Sequence, residues 1–420
     1  MAAAFRLLGP SPFCTEMDVR MRSAFSRGKF IAGGLCAGAF GISSAAFARS
    51  PARYAVPTSI RVKLFSGINL SSLDMSGSVP LTVAVGSNSV TLAAASYNVQ
   101  TDLLTGASTT IRPGGAPITI SSTAPIGVNA VGATTIPVRQ YNGKLVLQRV
   151  GSSLLVLNIV DIESYVASTM ASEVSPNWAA ESLKAQAIAS RTYAVRAAAH
   201  SSARAYDVTD DTSNQVYRGL DGVAASFVSA ASTTAGMVVL AGGEPADVFF
   251  SAACGGFTAD SLEMTGRPGP SYLSGVPDTD PSGQAYCARA PFYAWENTIA
   301  LGSVAQVLDM TSGDIADLEV KDRWRDGRVK TIRVVRMGAS ALDLDGRQFY
   351  AHCISMLGYK VLPSAMFEVE RNESGFNFKG HGLGHGVGMC QWGARGRANA
   401  GMSATQILST YFPGTSVVGA

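Results

Sequence analysis

Between Ala55 and Val160 the apolar residues come in short runs or alternate with polar ones: SIRVKLF, VPLTVAV, SVTLAAA, APITI, TIPVRQY and KLVLQRV. Gly, Ser, Asn and Pro separate these runs, the pattern of short β-strands joined by turns. Tyr141-Asn142-Gly143-Lys144 carries the Asn-Gly pair that favours a two-residue hairpin turn. From Asp161 the period lengthens. DIESYVASTMAS reads as a helix, and Ser175-Pro176 supplies an N-cap and a first helical position. An Ala-rich helix is therefore expected from Pro176 to about Ala198. Small residues on most of its faces predict close neighbours all round.

Further along, AASFVSAASTTAG predicts a short helix ending at Gly236, and MVVLAGGEPADVFFSAA a hairpin turning at Ala241 to Pro245. DIADLEVKDRWRDGRVKTIRVVRMG reads as strand, Asp-Gly turn, strand, and GRQFYAHCISMLG as a helix. GHGLGHGVGMCQWGARGRANAG, residues 380–401, is a Gly-rich loop entering a helix. Ser403 and Gln406 form a capping box for the final helix, which stops at Tyr411-Phe412-Pro413-Gly414. The sum is an α+β fold: Ala-rich helices packed with antiparallel strands and hairpins around a cleft, after a β-rich N-terminal part. No tandem repeat is evident.

Composition adds an address. Arg20, Arg22, Arg27 and Lys29 precede an apolar Gly/Ala-rich run from Phe30 to Phe47, and Ala46-Phe47-Ala48 has the small-x-small form of a cleavage site. Residues 1–48 are expected to be a signal peptide, so the protein is expected to be exported to the periplasm or the extracellular wall space. Contact with the membrane is expected only in transit. Residues 1–48 hold five Lys/Arg and two acids, which leaves 28 basic against 28 acidic residues after cleavage. A neutral chain lacks the electrostatic footprint of a nucleic-acid binder. Cys254, Cys287, Cys353 and Cys390 remain after cleavage. In an exported protein they allow disulfides, with Cys254–Cys287 the preferred pair. No C-x-x-C occurs, so no structural zinc knuckle is expected.

Three constellations carry chemistry. Glu173 stands two residues before Ser175. It is either a carboxylate stabilising a helix N-terminus or a reactive acid, and spacing leaves both open. Lys184 and Arg191 are seven apart and share a helix face with Gln186 between them; long cations among Ala, Leu and Ile call for a partner such as a carboxylate or a polar substrate. In the Gly-rich block, His381 and His385 are spaced like metal ligands on a helix, but the four glycines between residues 380 and 386 argue against a helix there. The better reading is a backbone brought close to a ligand, with Gln391 for hydrogen bonds and Trp392 as a flat face for a sugar ring. FFSAACGGFTAD supplies Ser251, Cys254, Gly255 and Gly256; YDVTDDTSNQVYRG supplies Gln215. DVTDD could hold calcium, but it lacks the further positions of such a loop and reads as a turn.

Taken together, SEVSPNWAAESLKAQAIASRTYA, YDVTDDTSNQVYRG, FFSAACGGFTAD and GHGLGHGVGMCQWGARGRANAGMSATQILSTYFPGT resemble the SpoIID family, also called the SpoIID/LytB domain, of bacterial cell-wall proteins. The blocks come in family order over roughly residues 55–415. The resemblance implies a β-rich N-terminal part at 49–160 and a catalytic core at 161–420 with an α+β insertion at about 296–375. It implies a lytic transglycosylase acting on denuded peptidoglycan glycan strands, with Glu173 as the catalytic acid. Lys184, Gln186, Arg191, Gln215, Ser251, Gly255, Gly256, His381, His385, Gln391 and Trp392 would contact substrate. Some relatives hold zinc through Cys and His. The CGG block has no neighbouring His, so neither metal nor cofactor is expected. Other members are described as enhancers of cell-wall amidases, so a non-catalytic glycan-binding module is the alternative, with an amidase as partner. A Cys254 hydrolase is a third reading, which a Cys254–Cys287 bridge would eliminate.

Overall fold

The computed structural model describes residues 54–131 and 136–419; the expected signal peptide, with Cys14 and Cys36, lies outside them. The alternating runs of the N-terminal part form two sheets. One has seven strands, in the order 208–209, 59–63, 153–161, 144–150, 118–121, 81–85 and 88–92. The other has six, in the order 139–141, 126–131, 72–77, 96–100, 103–105 and 110–111. Alternate residues such as Ile60, Val62, Leu73, Met75, Val83, Val99, Ile120, Val128 and Leu145 fill one core. Their inward faces follow from the period of two.

The Asn142-Gly143 pair does not make the expected hairpin. Arg139–Tyr141 belongs to the six-stranded sheet and Lys144–Val150 to the seven-stranded one, so the pair is a corner between sheets. The hairpin falls one strand later, where Val150 pairs with Ser153 across Gly151.

Eight helices follow among the described residues: α1 (Ile162–Glu173), α2 (Ala180–Ala199), α3 (Ala225–Thr233), α4 (Ser261–Thr265), α5 (Leu301–Leu308), α6 (Gly346–Leu357), α7 (Gln391–Asn399) and α8 (Ala404–Tyr411). With the sheets they make an α+β fold. The composition of α2 is explained by its position. Leu183, Ala187 and Ala194 pack into the N-terminal core, while Ala185, Ile188 and Ala189 pack into a second core with Val239, Val248, Phe376 and Phe378. A helix buried on opposite faces needs small residues wherever backbones approach.

The start of α2 differs from expectation. It begins at Ala180, after Ala179, which makes no side-chain cap. Ser175 instead closes a turn: its carbonyl accepts from Trp178 N at 3.2 Å and its Oγ from Asn177 N at 3.4 Å. That turn seats the Trp178 ring edge-on against Trp392, at 5.2 Å between centroids. The predicted Ser403/Gln406 capping box is present on α8, and the Asp326-Gly327 turn joins strands 315–323 and 329–336. Residues 294–381 add two three-stranded sheets with α5 and α6.

Candidate active site

Glu173 is the last residue of α1, not a residue ahead of α2. Its carboxyl therefore sits at the negative end of a helix, where the dipole disfavours ionisation, the reverse of N-terminal stabilisation. Burial raises its pKa above the ordinary glutamate value, and a hydrogen bond from Gln391 opposes that shift in part. The bond runs from Gln391 Nε2 to Glu173 Oε2 at 3.2 Å and joins residues 218 apart in sequence.

Gln391 is aimed by the segments beneath it. It opens α7, whose N-cap is Cys390. Strand residues 389–390 pair in parallel with 250–251, and Trp392 N donates to Ala252 O at 3.0 Å. The FFSAACGG and Gly/His blocks are thus knitted together: Ala253 bridges to Leu383 and Ala259 to Val387.

The glycines here serve that packing. A Cβ on Gly388 would stand 2.2 Å from Phe249 O and one on Gly386 2.0 Å from Arg328 Nη2, and both residues have φ in the left-handed region. The expectation that these glycines admit a ligand is corrected accordingly: protein backbone and Arg328 occupy the space. Gly388→Ala is expected to lose about 1–3 kcal/mol of stability through overpacking, checked by urea unfolding.

The two cations expected to face substrate, Lys184 and Arg191, are already engaged elsewhere. Lys184 Nζ lies 2.7 Å from Glu181 Oε1, one turn away on the same helix. Arg191 is fully buried and forms an ion pair with Glu163, while its guanidinium also donates to Met237 O at 3.1 Å, Ala231 O at 2.9 Å and Thr234 Oγ1 at 3.3 Å. The expected substrate contact of Arg191 is corrected by that burial. The raised pKa of Glu173 is set by burial, with the Gln391 hydrogen bond opposing it, and neither Lys184 nor Arg191 is among its causes.

The remaining expected site residues divide. Gln186, Gln215 and Ser251 are buried, and each has one polar side-chain atom with no partner among the described residues: Gln186 Oε1, Gln215 Nε2 and Ser251 Oγ. Gln186 Nε2 donates to Ser190 Oγ at 3.2 Å, and Tyr165 OH donates to Gln215 Oε1 at 3.2 Å. His385 is buried, with Nε2 3.1 Å from Phe250 O and Nδ1 accepting from Val387 N at 3.1 Å; burial pushes its pKa down to about 4. It is a neutral internal strut, which corrects its expected place in the substrate cleft.

His381 stands elsewhere. It is exposed, packs edge-on against Tyr293 and lines a groove with Trp295, Arg323, Met366 and Lys379, which contains neither Glu173 nor Gln391. The acids of DVTDD are used internally: Asp207 pairs with Arg61 at 2.6 Å, and Asp210 accepts from Phe65 N and Ser66 N at 2.7 and 2.9 Å.

Two residues join the site that the sequence did not single out. Trp178 meets Trp392, and the Arg395 guanidinium lies over both rings, 4.7 Å from Trp392 and 5.7 Å from Trp178. An aromatic pair next to Gln391 offers a sugar ring an apolar surface, with the Arg395 guanidinium stacked over the rings. The available signal was the spacing of three from Trp392 to Arg395 on one helix, which puts the two side chains together.

Cys254 and Cys287 are free thiols, their sulfurs 3.8 Å apart, so the expected disulfide is absent. Cys390 and Asp278 share the same buried pocket. Cys353 is buried separately.

Residues 150–240, which include Glu173, match the family model SpoIID, Stage II sporulation protein. An uncharacterized protein of Brachyspira hyodysenteriae is 30% identical over 66% of this chain and 72% of its own length. The chain belongs to the SpoIID family. Stage II sporulation protein D of Bacillus subtilis is 27% identical over 61% of the chain and 74% of its own length. The Amidase enhancer of Bacillus subtilis is 28% identical over 58% of the chain but only 39% of its own length. In this SpoIID-family protein, residues 282–388 also match a domain of unknown function, DUF8618. A role related to the bacterial cell wall follows from these relatives.

Proposed function

We propose that this SpoIID-family protein is an exported lytic transglycosylase, which cleaves the β-1,4 bond between MurNAc and GlcNAc in denuded peptidoglycan strands and leaves 1,6-anhydroMurNAc ends. The observation that carries this reading is Glu173: a carboxyl raised in pKa by burial and hydrogen-bonded by Gln391. Hydrolytic glycosidases place two carboxyl groups at a set separation. A lytic transglycosylase needs one, because the muramyl 6-hydroxyl of the substrate is the nucleophile. Protonated Glu173 gives its proton to the glycosidic oxygen as the bond to the anomeric carbon breaks. The resulting carboxylate then takes the proton of the 6-hydroxyl as its oxygen bonds to that carbon. The acid is regenerated and no water is consumed. Burial raises the Glu173 pKa and so favours the protonated form that this first step uses.

The Trp178–Trp392 pair supports a sugar subsite beside that carboxyl. Gln391 donates to the carboxylate stage and so keeps its oxygen in place for the second proton transfer. The test is mass spectrometry of products released from intact and denuded peptidoglycan by the purified mature protein. Anhydro-ended fragments, preferentially from denuded strands, are expected. Reducing ends alone would mean hydrolysis and overturn the reading.

The resemblance to the Amidase enhancer favours a second reading, a glycan-binding module that stimulates a cell-wall amidase. It predicts glycan pull-down with no product and amidase stimulation that survives loss of the Glu173 carboxyl.

A further inference from the structure

Three segments distant in sequence deliver Cys254, Asp278, Cys287 and Cys390 to one buried point, where one ligand atom from each lies within 4.8 Å of all the others. All four residues are inaccessible to solvent. We propose that these four side chains form a tetrahedral site for a single zinc ion, a structural clamp beneath the Glu173–Gln391 pair.

The geometry argues for a metal over a disulfide. A tetrahedral centre with Zn–S bonds of about 2.3 Å has S···S edges of about 3.8 Å. The Cys254 and Cys287 sulfurs are 3.8 Å apart. Bridging them would leave Cys390 as a lone buried thiol against Asp278. Four donors are what a closed structural site requires, and thiolates with a carboxylate suit zinc.

The surroundings are arranged as an outer shell. Asp278 Oδ2 faces the sulfurs, 3.1 Å from Cys254 Sγ. Its other oxygen accepts from Arg397 Nε at 3.0 Å and Tyr411 OH at 2.8 Å. A ligating carboxylate is commonly oriented in this way. The sulfurs receive backbone N–H groups: Cys254 N and Gly393 N each reach Cys390 Sγ at 3.2 Å, and Gly256 N reaches Cys254 Sγ at 3.4 Å. Such donors favour thiolates. Gly255 and Gly256 both have positive φ, and backbone in that conformation turns N–H groups inward. A Cβ at Gly393 would stand 2.0 Å from Asp278 Oδ2, so that glycine also keeps the pocket open.

The site contains no histidine and so differs from the Cys/His set by which some relatives hold zinc. Binding would release the three thiol protons to solvent, with no redox change. Because Cys390 is the N-cap of α7 and precedes Gln391, the ion would tie the FFSAACGG loop to the residue that holds the catalytic carboxyl.

The test uses the purified mature chain, prepared without chelator. One zinc per chain is expected by elemental mass spectrometry. Cobalt substitution should give a thiolate-to-cobalt charge-transfer band whose intensity reports three sulfurs. Alkylation of Cys254, Cys287 and Cys390 should proceed only after chelation. Cys390→Ser should weaken zinc retention at least about tenfold, while Cys353→Ser, outside the cluster, should keep it. If Cys390→Ser fails to fold, the cobalt spectrum of the unaltered chain still decides. A Cys254–Cys287 disulfide in a non-reducing peptide map with no bound metal overturns the proposal. So do Cys254, Cys287 and Cys390 thiols that alkylate freely in the protein as purified, before any chelator is added, or metal retained unchanged in Cys390→Ser. None of these readouts depends on glycan cleavage, so the site can stand or fall apart from the proposed activity.

Discussion

Glu173→Gln is expected to cut anhydro-product formation by about a hundred- to ten-thousand-fold or more, the usual range for a positioned acid/base. Glycan binding should persist, because Gln391 can donate to the new amide oxygen as it does to the carboxylate. The pH dependence follows from the direction of the shift. The folded-state pKa is raised, so the reactive protonated form is lost as pH rises through that raised value, and the alkaline limb of the rate profile belongs to Glu173. Stability has the same sign. The contribution of the protonated carboxyl is full below the unfolded-state pKa and is lost as pH rises through the folded-state pKa. Above that point the wild type holds a charge in a site that disfavours it, and the amide variant does not. The variant should therefore melt at or above the wild-type temperature at mildly alkaline pH, and level with it in acid. Substitution at a catalytic group often stabilises in this way. A Glu173→Gln protein as active as wild type would remove Glu173 from the chemistry.

Arg191→Ala is expected to act on the fold instead. The guanidinium is fully buried and Glu163 partly so, with 0% and 22% side-chain exposure. Removing one member of such a pair typically costs about 3–5 kcal/mol, because the other charge is left without its partner. Three further acceptors, Met237 O, Ala231 O and Thr234 Oγ1, would lose their donor. Arg191→Lys should recover little, since a point-charge ammonium cannot reproduce the fork. Combining Arg191→Met with Glu163→Gln should recover part of the loss. The measurement is the urea midpoint at unchanged slope. A variant of normal stability with weakened glycan binding would return Arg191 to the substrate cleft.

The contrast between Glu173 and Arg191 marks what a sequence can say about a site. Both lie in one motif, and the residues alone leave each open, Glu173 between a helix-end carboxylate and a reactive acid, Arg191 between a carboxylate partner and a polar substrate. Three-dimensional neighbours separate them: Arg191 finds Glu163 and three backbone or hydroxyl acceptors inside the core, while Glu173 finds burial and one amide. The histidines divide likewise, since Phe250 O captures the buried His385 ring and His381 ends a strand in another groove.

By itself the sequence determined what rests on neighbours close along the chain. Alternation marked the strands of the N-terminal sheets, the capping box at Ser403 fixed the start of α8, and small residues marked α2 as a helix packed on most faces. Each is an interaction within a few residues, or a periodicity that one face must satisfy. Local signals also set limits: Asn142-Gly143 makes a corner because its flanking strands find better partners in different sheets, and Ser175 closes a turn because Trp178 packs on Trp392. Only the tertiary structure decided the site. Glu173 and Gln391 are 218 residues apart, and Cys254 and Cys390 are 136 apart. No periodicity encodes such contacts; they follow from two cores folding around one Ala-rich helix, which brings the end of α1, the FFSAACGG loop and the start of α7 to the same place.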